Sequence, residues 1–277
     1  GWYSTTLTAL PFPPGIHPGQ AMSRLEGKSI LITGGSSGLG AAAAVLMASE
    51  GARITIAARR QAESEEVVKK IVALGGEAMF VQTDVCRGDQ VENLVEQIVA
   101  RFGRIDCAVN NAGVSIPFIP VAEIEEEDWN NVVGVNLTSV WLCMKYEIRA
   151  MLKTGGGSIV NISSIYGLKP SDVGHAAYSA SKHGVIGLSG TAAVEYAKNG
   201  IRVNTVCPGF CHSEMVDPSF DAMPELAESI LKRHCATERL GNAEEAAEAM
   251  IWFCSDASSF VNGATLTVDG GTTSRLA

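Results

Sequence analysis

The stretch YSASK sets Tyr178 and Lys182 four residues apart, stacked on one face of a helix. A free tyrosine has a pKa of about 10, too high to exchange protons readily near neutrality. A neighbouring ammonium favours the phenolate, and bringing the pKa down to about 7 takes roughly 4 kcal/mol of differential stabilisation. Such a tyrosine can give a proton to a carbonyl oxygen or take one from an alcohol. Ser163 and Ser164 follow the apolar run SIVNI, where a hydroxyl suits a donor to an oxygen that gains charge. Asn136, in VGVNLTS, lies within a helical stretch where asparagine is mildly unfavourable. A side-chain role explains it, and so does a capping or core hydrogen bond. Taken alone, Y-x-x-x-K also suits an ordinary pair on a solvated helix.

Those side chains need a scaffold, and the sequence supplies one. Short apolar runs at 28–33, 53–57, 77–82, 105–110, 158–162, 201–206 and 265–269 read as seven strands. Helical patterns fall between them, near 38–51, 61–74, 88–101, 126–153, 176–198, 224–234 and 243–254. The alternation predicts an α/β fold, a doubly wound parallel sheet in a single domain over 22–277. Residues 1–21 carry no charged side chain and hold Pro11, Pro13, Pro14 and Pro18, which reads as a disordered tail or an appended remnant rather than a signal peptide.

TGGSSGLG (33–40) joins the first strand to the first helix. Gly34, Gly38 and Gly40 allow a tight turn and close approach of a ligand, and the helix start offers N–H groups to a pyrophosphate. The second strand ends Ala57-Ala58-Arg59-Arg60. A carboxylate there would bind the ribose 2′-OH of NAD, whereas guanidinium groups suit the 2′-phosphate of NADP. NADP(H) is therefore expected over NAD(H), through Arg59 and Arg60. Asp84 and Val85 close the third strand, and Asn111, Ala112 and Gly113 follow the fourth, at the strand ends where such sheets bind ligands.

With TGGSSGLG, NNAG, the helix Asn136, NISS, YSASK and the Pro-Gly after the sixth strand, the chain resembles the short-chain dehydrogenase/reductase family in its compact single-domain form, over residues 23–271. The resemblance implies a catalytic group of Asn136, Ser164, Tyr178 and Lys182, with Lys182 also on the nicotinamide ribose and Asn136 holding a water in a proton relay. It places Gly34, Ser36, Ser37, Gly38 and Leu39 on the pyrophosphate and ribose side of the cofactor, and Asp84, Val85, Asn111 and Ala112 on the adenine and ribose side. Ala58 replaces the acidic residue of NAD-using members. Pro208, Gly209 and Ser213 match the family's PG-x3-T, with serine in place of threonine, and residues 210–238 would form a lid. Tyr166, Phe210 and Met215 would line the substrate space with Ser164 and Tyr178, beside Ile116, Phe118, Leu168, Val173, Val216 and Met223. His175 and His212 are candidates for polar contacts.

The expected activity is NADP(H)-dependent hydride transfer between nicotinamide and a mainly apolar ketone or secondary alcohol, as in a carbonyl reductase or alcohol dehydrogenase. One rival is a 3-oxoacyl-[acyl-carrier-protein] reductase, whose acidic partner would favour a basic rim; Lys232, Arg233 and Arg239 are the nearby cluster. Another is a nucleotide-sensing protein without catalysis. The resemblance also implies a homotetramer, or a homodimer.

Over 277 residues the formal net charge is −9, which disfavours nucleic acid and anionic membranes. No apolar run reaches spanning length. Seven scattered cysteines suit reduced thiols in the cytoplasm. In CPGFCH (207–212), Cys207, Cys211 and His212 have neither haem-attachment spacing nor a second ligand cluster for zinc, so no metal is expected.

Overall fold

In the computed structural model, the described residues are 23–171, 174–214, 216–217, 221, 225, 228–229, 231–232 and 235–274. The expected helix at 224–234 and the tail at 1–21 lie largely or wholly outside them, as do Val173, Met215 and Met223.

Seven strands form one parallel sheet in the order β3-β2-β1-β4-β5-β6-β7. They are β1 (Ser29–Thr33), β2 (Arg53–Ala58), β3 (Glu77–Gln82), β4 (Cys107–Asn110), β5 (Gly157–Ile162), β6 (Ile201–Pro208) and β7 (Thr265–Val268). Of the inner strands, β1 and β4 are buried along their whole length and β2, β5 and β6 at all but one position each, which is why they read as unbroken apolar runs rather than alternating ones. On one face, α1 (Gly38–Ser49) and α7 (Ala243–Cys254) share a core in which Ala43 and Met47 meet Met250 and Phe253. On the other lie α3 (Gly88–Phe102), α5 (Ser139–Thr154) and α6 (Ala176–Tyr196), with Leu94, Ile98, Met144, Met151 and Val185 in one cluster. The edge helix α2 is Gln61–Ala73.

The single helix expected at 126–153 is three pieces. An α-helix, α4 (Glu126–Val133), runs into a π-helical turn (Gly134–Thr138) before α5 begins. Asn136 is the buried residue of that turn, and its side chain explains the break. Its carboxamide accepts from Val114 N at 2.8 Å and donates to Val114 O at 2.9 Å, pinning the segment after β4 like a strand partner. A wider turn of this kind commonly marks a functional segment.

The chain leaves β1 toward β2 and β3, then returns to build the other half from β4. The order therefore reverses between β1 and β4, and their carboxyl ends open a crevice. Two glycines make the crevice possible. Gly34 takes φ +66°, a left-handed value that favours glycine. A Cβ on Gly40 would lie 2.4 Å from the Gly34 carbonyl oxygen and 2.5 Å from Asn111 Nδ2. Gly40→Ala should therefore push the glycine loop off Asn111, lowering stability by about 1–3 kcal/mol and weakening nucleotide binding; thermal melts with and without nucleotide check both.

Candidate active site

The crevice is a cleft of about 570 Å³. Its walls bring together Gly34, Ser36, Ser37, Gly38, Leu39, Arg59, Arg60, Asp84, Val85, Asn111, Ala112, Gly113, Ser164, Tyr178, Lys182, Pro208, Gly209 and Ser213, residues spread over the whole chain. Ser37 stands at the N-cap of α1 without a side-chain capping bond, and the first turn holds no acidic residue. The N–H end of that helix is thus left open toward the cleft, as an anion site requires. Thr33 Oγ1 accepts from the backbone N–H groups of Asn111 and Ala112, each at 3.1 Å. Asn111 Nδ2 in turn donates to the carbonyls of Thr33 at 3.2 Å and Gly34 at 3.1 Å, so its amide is spent on shaping the loop. The glycine geometry, the open helix end and the arginines fit a dinucleotide.

The two arginines are not equivalent. Arg59 faces the cleft with no ion pair among the described residues, while its carbonyl accepts from Gln82 at 3.0 Å. Arg60 donates to Ser37 Oγ at 2.6 Å, Ser36 Oγ at 3.1 Å and the Glu214 carboxylate at 2.9 Å.

At the inner end, the two serines after β5 have separate tasks. Ser163 Oγ donates to the Lys182 carbonyl at 2.8 Å, which ties β5 to α6. Ser164 accepts from Tyr166 N at 3.2 Å and is hydrogen-bonded to the Tyr178 phenol. Lys182 is buried; its Nζ donates to the Ile162 carbonyl at 2.9 Å and lies 5.5 Å from the centre of the Tyr178 ring. Enclosure disfavours charge on both groups. It holds Lys182 down at about 8 and pushes Tyr178 up to about 12, with the bond to Ser164 pulling the other way. In the protein alone burial outweighs the expected lowering of Tyr178 by its lysine, whose Nζ donates to the Ile162 carbonyl. Asn136 does not line the cleft; it stands behind the wall formed by Val114, 3.4 Å from Ser181 Oγ.

An aromatic group rims this end. His175 stacks on Tyr178 with ring centres 4.7 Å apart and 13° between planes. Phe118 and Tyr166 meet His175 edge-on at 5.0 and 5.4 Å. Phe210 meets Tyr166 edge-on at 6.2 Å, although it lines a separate small cavity rather than the main cleft. His175 is buried, with Nε2 at 2.9 Å from Ser115 Oγ, and burial lowers its pKa. Sequence reading gave this histidine only a contact role and missed its place against the tyrosine; its position three residues before Tyr178 was the available signal. His212 is exposed and paired with Asp217 at 2.9 Å. Cys207 and Cys211 are buried thiols, and burial pushes Cys211 up to about 11. Among the described residues no three histidine, cysteine or acidic side chains converge as for a metal. Of the proposed basic rim, Lys232 is paired with Glu228 and Arg239 with Glu245, while Arg233 lies outside the described residues.

A doubly wound parallel sheet with a glycine-rich turn at its switch point, and serine, tyrosine and lysine at the cleft floor, defines a Rossmann-type nucleotide-binding fold equipped for proton transfer. A family model described as enoyl-(acyl carrier protein) reductase matches residues 34–273. An A-factor type gamma-butyrolactone 1′-reductase of Streptomyces virginiae is 42% identical over 250 residues, covering 90% of this chain and 96% of its own. A 2,5-dichloro-2,5-cyclohexadiene-1,4-diol dehydrogenase of Sphingobium indicum is 39% identical over 253 residues, covering 91% and 99%. The crystal structure of levodione reductase superposes with a TM-score of 0.88 at 33% identity, covering 91% of this chain and all of that one. The chain belongs to the short-chain dehydrogenase/reductase family and is an oxidoreductase. No helix among the described residues is long and apolar enough to cross a membrane.

Proposed function

We propose that the protein transfers a hydride between NADP(H) and a ketone or secondary alcohol of mainly apolar character, with Tyr178 as general acid or base. The observation that carries this reading is the cleft itself, which runs from Arg59 and Arg60 past the open end of α1 to Ser164, Tyr178 and Lys182. The cofactor supplies or accepts the hydride at its nicotinamide. Tyr178 gives its proton to the carbonyl oxygen in reduction, or takes the alcohol proton in oxidation. Ser164, hydrogen-bonded to the same phenol, donates to the substrate oxygen as charge develops. Lys182 uses one donor on Ile162 and has two left for the cofactor ribose and the phenol. Asn136 holds Val114 and so fixes the wall opposite Lys182.

The aromatic rim of Phe118, Tyr166, His175 and Phe210 supports an apolar substrate, and ring compounds fit it best. Two of the relatives are named for such substrates, a cyclohexadiene diol and a lactone. The half-exposed Trp129 and Trp141 and the exposed Val194, on α4, α5 and α6, support self-association as a tetramer or dimer. A cytoplasmic setting agrees with the buried thiols.

Arg59 is the side chain that most directly chooses the cofactor. Arg59→Asp replaces a charge-assisted phosphate contact with repulsion, so the NADPH-to-NADH ratio of kcat/KM should fall by about 10²-fold. Steady-state rates with both cofactors on a panel of cyclic ketones test this. A strong NADH preference in the unchanged protein would overturn the NADP(H) assignment.

A further inference from the structure

Glu214 is the one acidic side chain that reaches into the pyrophosphate end of the cleft among the described residues. It follows Ser213, in a turn where the N–H groups of Val216 and Asp217 donate to the Ser213 carbonyl at 3.1 and 2.9 Å and Val216 N also meets Ser213 Oγ at 3.2 Å. That turn aims the carboxylate across the cleft. It accepts from Arg60 at 2.9 Å and from the Ser37 hydroxyl, and Ser37 and Ser36 themselves accept from the same Arg60 nitrogen. A guanidinium and the hydroxyl of the N-cap residue of α1 thus hold an anion, and here the anion is the protein's own. These groups are also the ones placed to receive the negative end of the cofactor's adenosine. Glu63 stands on the other side of Arg60, at 3.7 Å from Nη1, outside the cleft.

The geometry points to Glu214 as a cofactor-specificity residue that competes with the nucleotide 2′-phosphate for Arg60 and Ser37. The proposal rests on the NADP(H) reading given above. Two anions cannot share one guanidinium nitrogen at full strength, so a 2′-phosphate must displace the carboxylate before it gains Arg60. A nucleotide without that phosphate need not disturb the contact. Glu214 therefore selectively weakens binding of the phosphorylated cofactor and narrows the preference that Arg59 creates. The ion pair is exposed on both sides, with 44% of Arg60 and 61% of Glu214 side-chain surface accessible, so the effect is a modest one.

Calorimetric titration of the full-length protein with adenosine 2′,5′-bisphosphate and with 5′-AMP reads this directly. Glu214→Gln should tighten the bisphosphate about three- to fivefold and leave AMP unchanged. In an Arg60→Ala background the same substitution should tighten the bisphosphate much less, because only the Ser37 hydroxyl is still contested, and should again leave AMP unchanged. Equal tightening of both nucleotides would show simple charge repulsion at the pyrophosphate loop and overturn the proposal. So would an unchanged bisphosphate affinity while the unaltered protein still prefers bisphosphate to AMP. If the unaltered protein does not distinguish the two nucleotides, the NADP(H) reading fails, and the competition falls with it. Melting temperatures of the variants confirm folding, since Glu214 is a surface side chain in a turn.

Discussion

Tyr178→Phe is expected to lower kcat by about 10²–10⁴-fold, the range lost with a general acid or base, while nucleotide affinity stays the same. The substitution removes one hydroxyl and keeps the ring, so stacking on His175 at 4.7 Å survives. What is lost is the bond to Ser164 and the phenolic proton that passes to or from the substrate oxygen. In the protein alone the phenol stands near 12 and keeps its proton at neutral pH, while the buried lysine, near 8, is still mostly ammonium there. A positively charged nicotinamide beside them would favour the phenolate and bring the tyrosine toward the working range. The pH dependence of kcat/KM for alcohol oxidation should accordingly break well below the position of Tyr178 in the free protein. Rates measured from pH 6 to 10, with NADPH fluorescence titrations on both proteins, check the two halves of the prediction. Turnover of the variant at the level of the unchanged protein would sink the assigned role.

The sheet was legible because its inner strands are buried on both faces and its strands are separated by helices of ordinary length. Every cofactor residue expected from the sequence lines a single cleft; most sit near the carboxyl end of a strand, and Tyr178 and Lys182 reach it from α6. Less legible was anything that depends on which way a side chain turns. Ser163 and Ser164 are chemically identical in sequence, yet one is consumed by the Lys182 carbonyl and the other meets Tyr178. Asn136 invites a reading as a group that lines the site, yet its amide bonds Val114 and reaches Ser181, and the π-helical turn that puts it there leaves no mark in hydrophobic periodicity. Arg59 and Arg60 are adjacent and look equivalent until Glu214, 154 residues away, takes one of them. Two members of the basic cluster weighed for an acidic carrier protein, Lys232 and Arg239, are likewise paired with carboxylates that a one-dimensional charge count cannot place beside them.

Glu147→Gln should stabilise the protein at neutral and alkaline pH and do nothing below about pH 4.5, the ordinary carboxyl value. Glu147 is fully buried on α5 against the sheet. One carboxyl oxygen accepts from Asn110 Nδ2 at 3.0 Å, and the other has no partner among the described residues, nor does Asn110 Oδ1. The same Asn110 nitrogen donates to Asn161, whose amide reaches Ser189 at 2.8 Å, so the network holds β4, β5 and α6 together beneath the cleft. The neighbouring titratable group is Cys143, itself held well above the ordinary thiol value by burial, and no cation among the described residues offsets a charge on Glu147. Burial pushes Glu147 up to about 8. Between pH 4.5 and 8 the unfolded chain ionises this group while the folded protein keeps its proton, so folded protein binds more protons and stability falls as pH rises. Above about 8 both states are ionised and the loss is complete. The difference between the two values sets a ceiling of roughly 5 kcal/mol, and local relaxation reduces the expected gain to about 1–3 kcal/mol. Glutamine keeps the acceptor for Asn110 and carries no charge at any pH. Melting temperatures of the two proteins from pH 4.5 to 9 should therefore diverge as pH rises and level off near 8, whereas parallel curves would show that Glu147 ionises freely in the folded state.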